Sequence, residues 1–169
     1  MAIQKYESDV KTINWSNQIV YDSLSNLNFL NTMFSPENMN RVKQQLGDKA
    51  DQFNVEEFTA DRNSCHFKIS PVGTIGINII NREEPKAIKL ISEDGGPIKF
   101  TIWIQILPVN QTACKIKLTL HTELNMMMKM MVGSKLKKGI NQAADALDKI
   151  PFGTIQAMNQ NDSDEYLSE

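Results

Sequence analysis

Two histidines are the residues of this 169-residue sequence that most readily suggest catalysis or metal binding. His66 and His121 both occupy polar positions of alternating stretches, and such positions face solvent when only one face of a sheet is covered. A general base must reach the proton that it removes, so a solvated strand position suits neither histidine. Neither has the neighbouring ligand residues of a zinc site. We therefore expect no catalytic residue and no metal site at either position.

The other candidate motifs are incomplete. Cys65 and Cys114 lie far apart and form no C-x-x-C pair, which argues against a redox or metal motif. Gly73-Thr74-Ile75-Gly76 has the wrong spacing for a phosphate loop, and no helix pattern follows it. No G-x-S-x-G occurs. The sequence thus predicts no cofactor. Both thiols fall at apolar positions, which is typical of buried residues in a reducing, cytoplasmic compartment.

The composition is typical of a soluble single domain. Hydrophobic residues make up 41% of the chain and charged residues 22%, with a formal net charge of −2. So small a net charge creates no field that would attract nucleic acid. No apolar run approaches the ~20 residues of a membrane span, so we expect no stable membrane insertion. We assign residues 1–152 to the domain and 153–169 to a polar, acidic tail that we expect to be mobile.

The longest periodic segment covers residues 125–150 and predicts a helix of about seven turns. Its apolar residues recur at steps of three and four, which is the helical period. They are Met128, Val132, Leu136, Ile140, Ala143, Leu147 and Ile150. The other face carries lysines and aspartates, and Pro151 and Gly153 end the pattern. A long amphipathic helix needs a sheet against which to bury its apolar face.

Residues 54–124 alternate between apolar and polar side chains, which is the strand period. Six strands separated by turn residues are predicted, at 55–60, 65–69, 74–80, 86–92, 98–107 and 113–124. A further strand is predicted at 4–13, with Tyr6, Ser8 and Thr12 facing inward. Short helices follow it, at 16–26, 27–34 and 36–46. Short links between strands favour an antiparallel meander, so the predicted fold class is α+β: a seven-stranded sheet with one face under the long helix.

The sequence resembles the START-like (SRPBCC, helix-grip) superfamily in this element order and in the methionine-rich passage into the long helix. That passage is Leu124-Asn125-Met126-Met127-Met128-Lys129-Met130-Met131. That superfamily includes polyketide cyclase/dehydrase-like and lipid-transfer proteins. The resemblance covers residues 3 to about 152 and is strongest to the small bacterial members of unassigned function. It implies a curved seven-stranded sheet that grips the long helix, with a cavity that often holds an apolar small molecule. The glycine-rich loop of the related plant allergens is missing, because Asp61-Arg62-Asn63 stands in its place.

Two glycines and a methionine cluster bear on whether such a cavity exists. Gly133 and Gly139 each cost about 1 kcal/mol relative to alanine inside a helix, which suggests either space for a ligand or close packing on a neighbour. The methionines of 126–131 point in every direction, so this end lies under loops, at a cavity mouth or on a partner surface. The residues predicted to bind the ligand are Phe67, Ile77, Leu90, Phe100, Ile102, Leu118, Met128, Met131 and Leu136.

Three functions agree with the sequence. The first is a non-catalytic module that buries a hydrophobic or amphipathic small molecule between sheet and helix. The second is a cyclase/dehydrase-type enzyme that uses the same cavity and inward polar groups such as Ser92 and Thr122; without a catalytic motif, we expect binding rather than catalysis. The third is a protein-interaction module of the chaperone-activator type. It would use the outer face near Trp103, where a homodimer contact is also conceivable; a β-bulge would instead turn Trp103 inward.

Overall fold

A computed structural model describes residues 3–33, 54–70, 73–150 and 152–153. Its strands and helices, in chain order, are β1 Ile3–Glu7, β2 Lys11–Ile13, α1 Asn17–Leu24, α2 Phe29–Met33, β3 Asn54–Ala60, β4 Ser64–Ser70, β5 Gly73–Glu83, β6 Ala87–Ser92, β7 Phe100–Asn110, β8 Ala113–Glu123 and α3 Met126–Asp148. The helix predicted at 36–46 and the tail at 154–169 lie outside the described residues. Within those residues, no helix combines the length and the apolarity that crossing a membrane requires.

The strands form one antiparallel sheet in the order β1-β8-β7-β6-β5-β4-β3, with β2 also paired to β8. The sheet therefore has eight strands, because the first predicted strand is interrupted. Ser8 causes the break: its backbone N–H donates to the Leu118 carbonyl, while its side-chain hydroxyl accepts from the Leu118 N–H, at 2.9 Å each. A side chain thus replaces a backbone acceptor in the ladder.

The interruption reverses which residues face inward. Lys11 and Ile13 pair with Ile116 and Cys114 on the inner face, so Thr12 points outward and is exposed. The prediction that Thr12 faces inward was wrong. Strict alternation was assumed across residues 8–10, where the chain leaves the sheet.

The long helix agrees with its prediction within two residues at each end. Asn125 caps it, since the Asn125 side-chain oxygen accepts a hydrogen bond from the Met128 N–H at 2.8 Å. The main strand contacts of α3 are with β1, β2 and β8, at one edge of the sheet. The helices α1 and α2 cover other parts of the sheet, α1 over β7 and β8 and α2 over β3.

Polar contacts fix α3 to this edge. The Asp9 N–H donates to the Asn141 side-chain oxygen at 2.8 Å, and the Lys137 ammonium donates to the Glu7 carbonyl. Lys11 forms an ion pair with Asp145 at 2.5 Å, which raises the pKa of Lys11. All these partners lie on β1, β2 or the link between them, so the first strands set the position of the helix.

An arginine joins the other end of the sheet to the short helices. Because a bulge between Ile79 and Asn81 shifts the register of β5, Arg82 pairs with inward-facing Ile88. The Arg82 guanidinium donates to the Ser25 carbonyl at 2.9–3.0 Å and to the Asn63 side-chain oxygen at 2.8 Å. It therefore holds the end of α1 against the β3–β4 turn.

We predict that Phe152→Ala lowers the free energy of unfolding by about 3–5 kcal/mol, because it leaves a cavity in the core. Phe152 is 0% exposed and packs in the main hydrophobic cluster just after α3. Urea denaturation followed by circular dichroism measures the change. Leu107→Ala is the control: Leu107 is 65% exposed, so its loss should cost less than about 0.5 kcal/mol. Equal effects of the two variants would show that Phe152 does not anchor the end of α3.

Candidate functional site

The structure places six of the predicted ligand-binding residues on one face of the sheet. The strand register aligns Ile77 with Cys65 and Leu90 with Ile102, and the same face continues through the neighbouring strands. The six residues are Phe67, Ile77, Leu90, Phe100, Ile102 and Leu118. All are core residues or pack against the core. This face, called the inner face below, is the one that α3 crosses, since Ile140 and Ala144 of α3 belong to the same core cluster.

The inner face is closed at one end and partly open at the other. Along β7, Ile104 and Ile106 are buried, whereas Phe100 and Ile102 are only half-buried. Burial also decreases along α3 toward its start, and Ile140, in the second half of the helix, is buried. The residues nearer the start of the helix, Met128 and Leu136, are half-buried. Since apolar side chains of a filled core are excluded from water, the open end of the inner face is incompletely covered.

The flank of α3 that faces the rest of the sheet carries two of the three predicted helix residues. Met128 and Gly139 are eleven residues apart and fall within about 20° on the helix, and Leu136 lies about 60° from Gly139. Asn141, which contacts the β1–β2 link, lies about 160° from Gly139. The contacts with β1 and β2 therefore turn the Gly139 flank toward β7 and β6.

Met131 does not join this group. It lies about 140° around the helix from Leu136, and its side chain is 66% exposed. The structure therefore brings together eight of the nine predicted residues and leaves Met131 on the outward side of α3.

The two glycines of α3 have different surroundings. A Cβ atom at Gly133 would lie 3.3 Å from the Tyr6 hydroxyl, so this glycine permits close packing of the helix on β1. A Cβ atom at Gly139 would meet no neighbour within 4 Å. Close packing therefore applies at Gly133, whereas a side chain at Gly139 would meet open space; the prediction that a ligand occupies that space stays a prediction.

The predicted polar groups mostly hold the backbone. The Ser92 hydroxyl accepts from the Phe100 N–H at 2.9 Å, and the Thr122 hydroxyl donates to the Lys99 carbonyl at 2.9 Å. Ser8 bonds into the β8 ladder. Among the polar side chains proposed to orient a ligand, only the half-buried Tyr6 adjoins α3 at the open end.

Sequence reasoning missed Phe58, a half-buried aromatic that packs against the core. It pairs with Phe67 and so extends the inner face onto β3. A bulge between Val55 and Glu57 breaks the alternation there, which concealed the position. The only available signal was the aromatic residue type, which is favoured in strands.

Trp103 lies on the outer face, as alternation predicted. Its ring meets the His121 ring edge-on, with centroids 4.6 Å apart, and the Lys89 ammonium lies 5.4 Å from its centroid. A shallow pocket of about 80 Å³ adjoins this group beside His121 and Ile91. Ligand pockets typically enclose about 300–1,000 Å³, so this depression is too small for a drug-sized molecule.

His66 also lies on the outer face, where its Nε2 atom is 2.8 Å from a Glu93 carboxylate oxygen. The Asn78 amide donates to the same oxygen at 3.3 Å. A Cβ atom at Gly76 would come within 2.4 Å of Glu93, so the glycine makes room for the carboxylate. This arrangement is partly exposed and does not reach the inner face. No cluster of three or more histidine, cysteine or acidic side chains suited to a metal ion occurs among the described residues.

The two cysteines are free and buried. Burial raises the pKa of the Cys65 thiol to about 11, and the negative charges of Asp61 and Glu93 add to the effect. Burial also raises the pKa of the Cys114 thiol. Because the thiolate is the reactive form, neither cysteine is suited to act as a nucleophile at neutral pH.

Comparison with known proteins identifies the fold. No protein-family model and no curated protein sequence matches the chain. Norcoclaurine synthase from Thalictrum flavum is similar in structure, with a TM-score of 0.59 at 13% identity over 88% of this chain and 86% of that chain. A START superfamily protein from Mycobacterium smegmatis aligns with a TM-score of 0.50 at 11% identity, over 86% and 98%. The chain has the START-like helix-grip fold.

A conserved protein from Geobacillus kaustophilus aligns with a TM-score of 0.51 at 13% identity, over 92% of this chain and 94% of that chain. Identities this low show the fold alone. The START-like sheet and helix are therefore established, while the nine predicted ligand contacts stay predictions.

The contrast between the two glycines predicts different responses to alanine. Gly139→Ala should raise the free energy of unfolding by about 0.5–1 kcal/mol, because alanine is the better helix former and its methyl group meets no neighbour. Gly133→Ala should gain less, because the new methyl group presses on the Tyr6 hydroxyl. Parallel urea titrations compare the variants. A larger gain at Gly133 than at Gly139 would contradict the packing described here.

Proposed function

We propose that the chain binds a hydrophobic or amphipathic small molecule at the open end of the inner face, between β4–β7 and the Gly139 flank of α3. Two observations carry the proposal: a Cβ atom at Gly139 would meet open space, and apolar residues on the inner face of the sheet are only half-buried. A ligand there would cover Phe67, Phe100 and Ile102. Norcoclaurine synthase, which shares the fold, has been crystallised with dopamine and hydroxybenzaldehyde. That complex supports the use of this fold for small aromatic molecules.

Apolar burial would supply most of the affinity. A ligand that removes about 200 Å² of apolar surface from water gains roughly 5 kcal/mol before the cost of association. Few polar groups are free to fix its orientation, since Ser92 and Thr122 bond the backbone. Tyr6, the remaining half-buried polar group, packs beside Gly133 on the β1 side of α3. We therefore expect selection by shape and apolarity rather than by a hydrogen-bond pattern.

The shortage of unpaired polar groups also favours binding over catalysis. A cyclase/dehydrase-type reaction in this groove needs groups that move protons or stabilise developing charge. The inward-facing Lys11 is paired with Asp145, and Arg82 is held by carbonyl and amide oxygens. The outer face offers less support for an interaction module, because the Trp103 ring is already packed by Lys89 and His121.

Filling the groove tests the proposal. Gly139→Phe should lower the affinity for the fluorescent probe anilinonaphthalene sulfonate at least about tenfold, because the new ring occupies the apolar space. Fluorescence titration measures the affinity, and thermal denaturation verifies that each variant is folded. The matched control is Ser134→Phe, which adds the same ring to an exposed position of the same helix, about 140° around the axis from Gly139. It should retain the affinity of the unchanged protein.

Native mass spectrometry of protein purified without detergent gives an independent readout. An adduct that is lost in Gly139→Phe and retained in Ser134→Phe would support the site and allow the ligand's chemical class to be identified. If a folded Gly139→Phe variant keeps full probe affinity and any adduct, the groove is not the binding site.

A further inference from the structure

The start of α3 exposes four methionine side chains to solvent. Met126, Met127, Met130 and Met131 are 82%, 71%, 84% and 66% exposed. Methionine is usually buried, and neighbouring exposed apolar side chains mark surfaces that contact another apolar phase or molecule. Ile3, which pairs with Glu123 at the same end of the sheet, is also 62% exposed. The apolar exposure is therefore concentrated where the chain passes from β8 into α3.

The same helix segment carries charge of one sign only. Between residues 126 and 144 there are four lysines and no aspartate or glutamate. The first acidic residue of α3 is Asp145, which is already paired with Lys11. The whole chain has a formal net charge of −2, so this segment differs in sign from the rest of the molecule. A cationic surface beside exposed apolar groups complements an anionic, amphipathic partner.

The order of residues along the outward side matches the layers of a bilayer surface. Met127 and Met131 come first, followed by Lys135 and Lys138 on the same side of the helix. With a rise of 1.5 Å per residue, Lys135 lies about 6 Å and Lys138 about 10 Å beyond Met131 along the axis. Interfacial helices bury their apolar side chains about 5–10 Å into the boundary between headgroups and acyl chains. Methionines at that depth would place the lysines among the lipid phosphates.

Nearby acidic groups do not cancel this charge. Glu7, on the neighbouring strand, is bridged by Lys5 at 2.9 Å and Lys117 at 3.2 Å, and these contacts lower the Glu7 pKa. Glu123 lies at the end of β8 and lines the shallow pocket together with Lys99. Among the described residues, the lysines of α3 therefore set the charge of this surface.

We propose that the outward side of residues 126–138, called the methionine–lysine surface, docks the protein reversibly onto anionic lipid bilayers. The methionines enter the acyl boundary, and Lys135 and Lys138 contact the headgroup phosphates. The flexible methionine side chain suits a fluid partner without fixed shape. This proposal does not depend on ligand binding in the groove, because Met127 and Met131 lie about 120° and 80° around α3 from Gly139.

Vesicle flotation with the full chain tests the docking. One set of vesicles is phosphatidylcholine alone, and the other contains about 30% phosphatidylserine. The protein should float with the anionic vesicles. It should partition at least about tenfold less onto phosphatidylcholine, and onto anionic vesicles in about 1 M salt, where the Debye length falls to about 3 Å.

Paired variants separate the two contributions. Met127→Ser with Met130→Ser removes apolar contact, and Lys135→Gln with Lys138→Gln removes charge; each pair should weaken anionic-vesicle partition at least about tenfold. The apolar control is Leu107→Ser with Val109→Ser, two exposed residues at the other end of β7. The charge control is Lys86→Gln with Lys115→Gln, also exposed. Both control pairs should float as the unchanged protein does, with unaltered circular dichroism.

Two results would overturn docking. One is the absence of flotation with anionic vesicles, or flotation that both test pairs leave unchanged. The other is a concentration-dependent dimer in sedimentation velocity that Met127→Ser with Met130→Ser abolishes, since a second copy of the chain would then cover the surface. Gly139→Phe should float normally while losing the fluorescent probe. Failure of docking is thereby distinguished from failure of the groove.

Discussion

The attachment of α3 to one edge of the sheet determines the arrangement of the rest of the inner face. Asn141, Lys137 and Asp145 all bond the first two strands, and Gly133 lets the helix approach Tyr6. These contacts lie on one flank, so the helix is fixed both in position and in rotation about its axis. A helix held only by apolar packing at the centre of the sheet would cover both halves equally, and no groove would remain.

Because α3 is attached at the β1–β2 edge of the sheet, other parts of the protein must cover the apolar surface of β4 to β7. At the closed end, α1 and Phe152 supply that cover, and Ile88, Ile116 and Val20 are fully buried there. Toward the start of α3, Phe67 and Phe100 are half-buried, and no described residue of α1 or the segment after α3 is placed over them. The same interrupted first strand that forms the edge contacts therefore also creates the opening. A groove of this kind follows from how the elements are placed rather than from any special residue within it.

Period-two and period-3.6 patterns were sufficient to predict the fold class, the six strands from β3 to β8 and the long helix, because burial acts on every residue of those elements. Prediction failed where a side chain or a bulge replaced regular pairing. The Ser8 hydrogen bond interrupts the first strand, so Thr12 faces outward instead of inward. The bulge near Val55 breaks the alternation that would have shown Phe58 to face inward, and the bulge at Asn81 turns Arg82 inward. The strand members of the candidate site were predictable from alternation. The structure leaves Met131 exposed, and its orientation was hard to predict because the run of five methionines in six residues has one polar position, Lys129, from which to read the phase of the helix.

The rotation of α3 about its axis also determines which of its many methionines face the sheet and which face away from it. Three sides of α3 have different surroundings: polar contacts with β1 and β2, an apolar flank over the sheet, and an outward side. Within the described residues, the apolar flank is the side on which α3 partly buries a methionine, and Met128 is the methionine that lies there near the start of the helix. The four exposed methionines are not part of the described core. A surface of this kind is consistent with a second apolar environment outside the chain, and the lysines that follow it restrict that environment to one carrying negative charge.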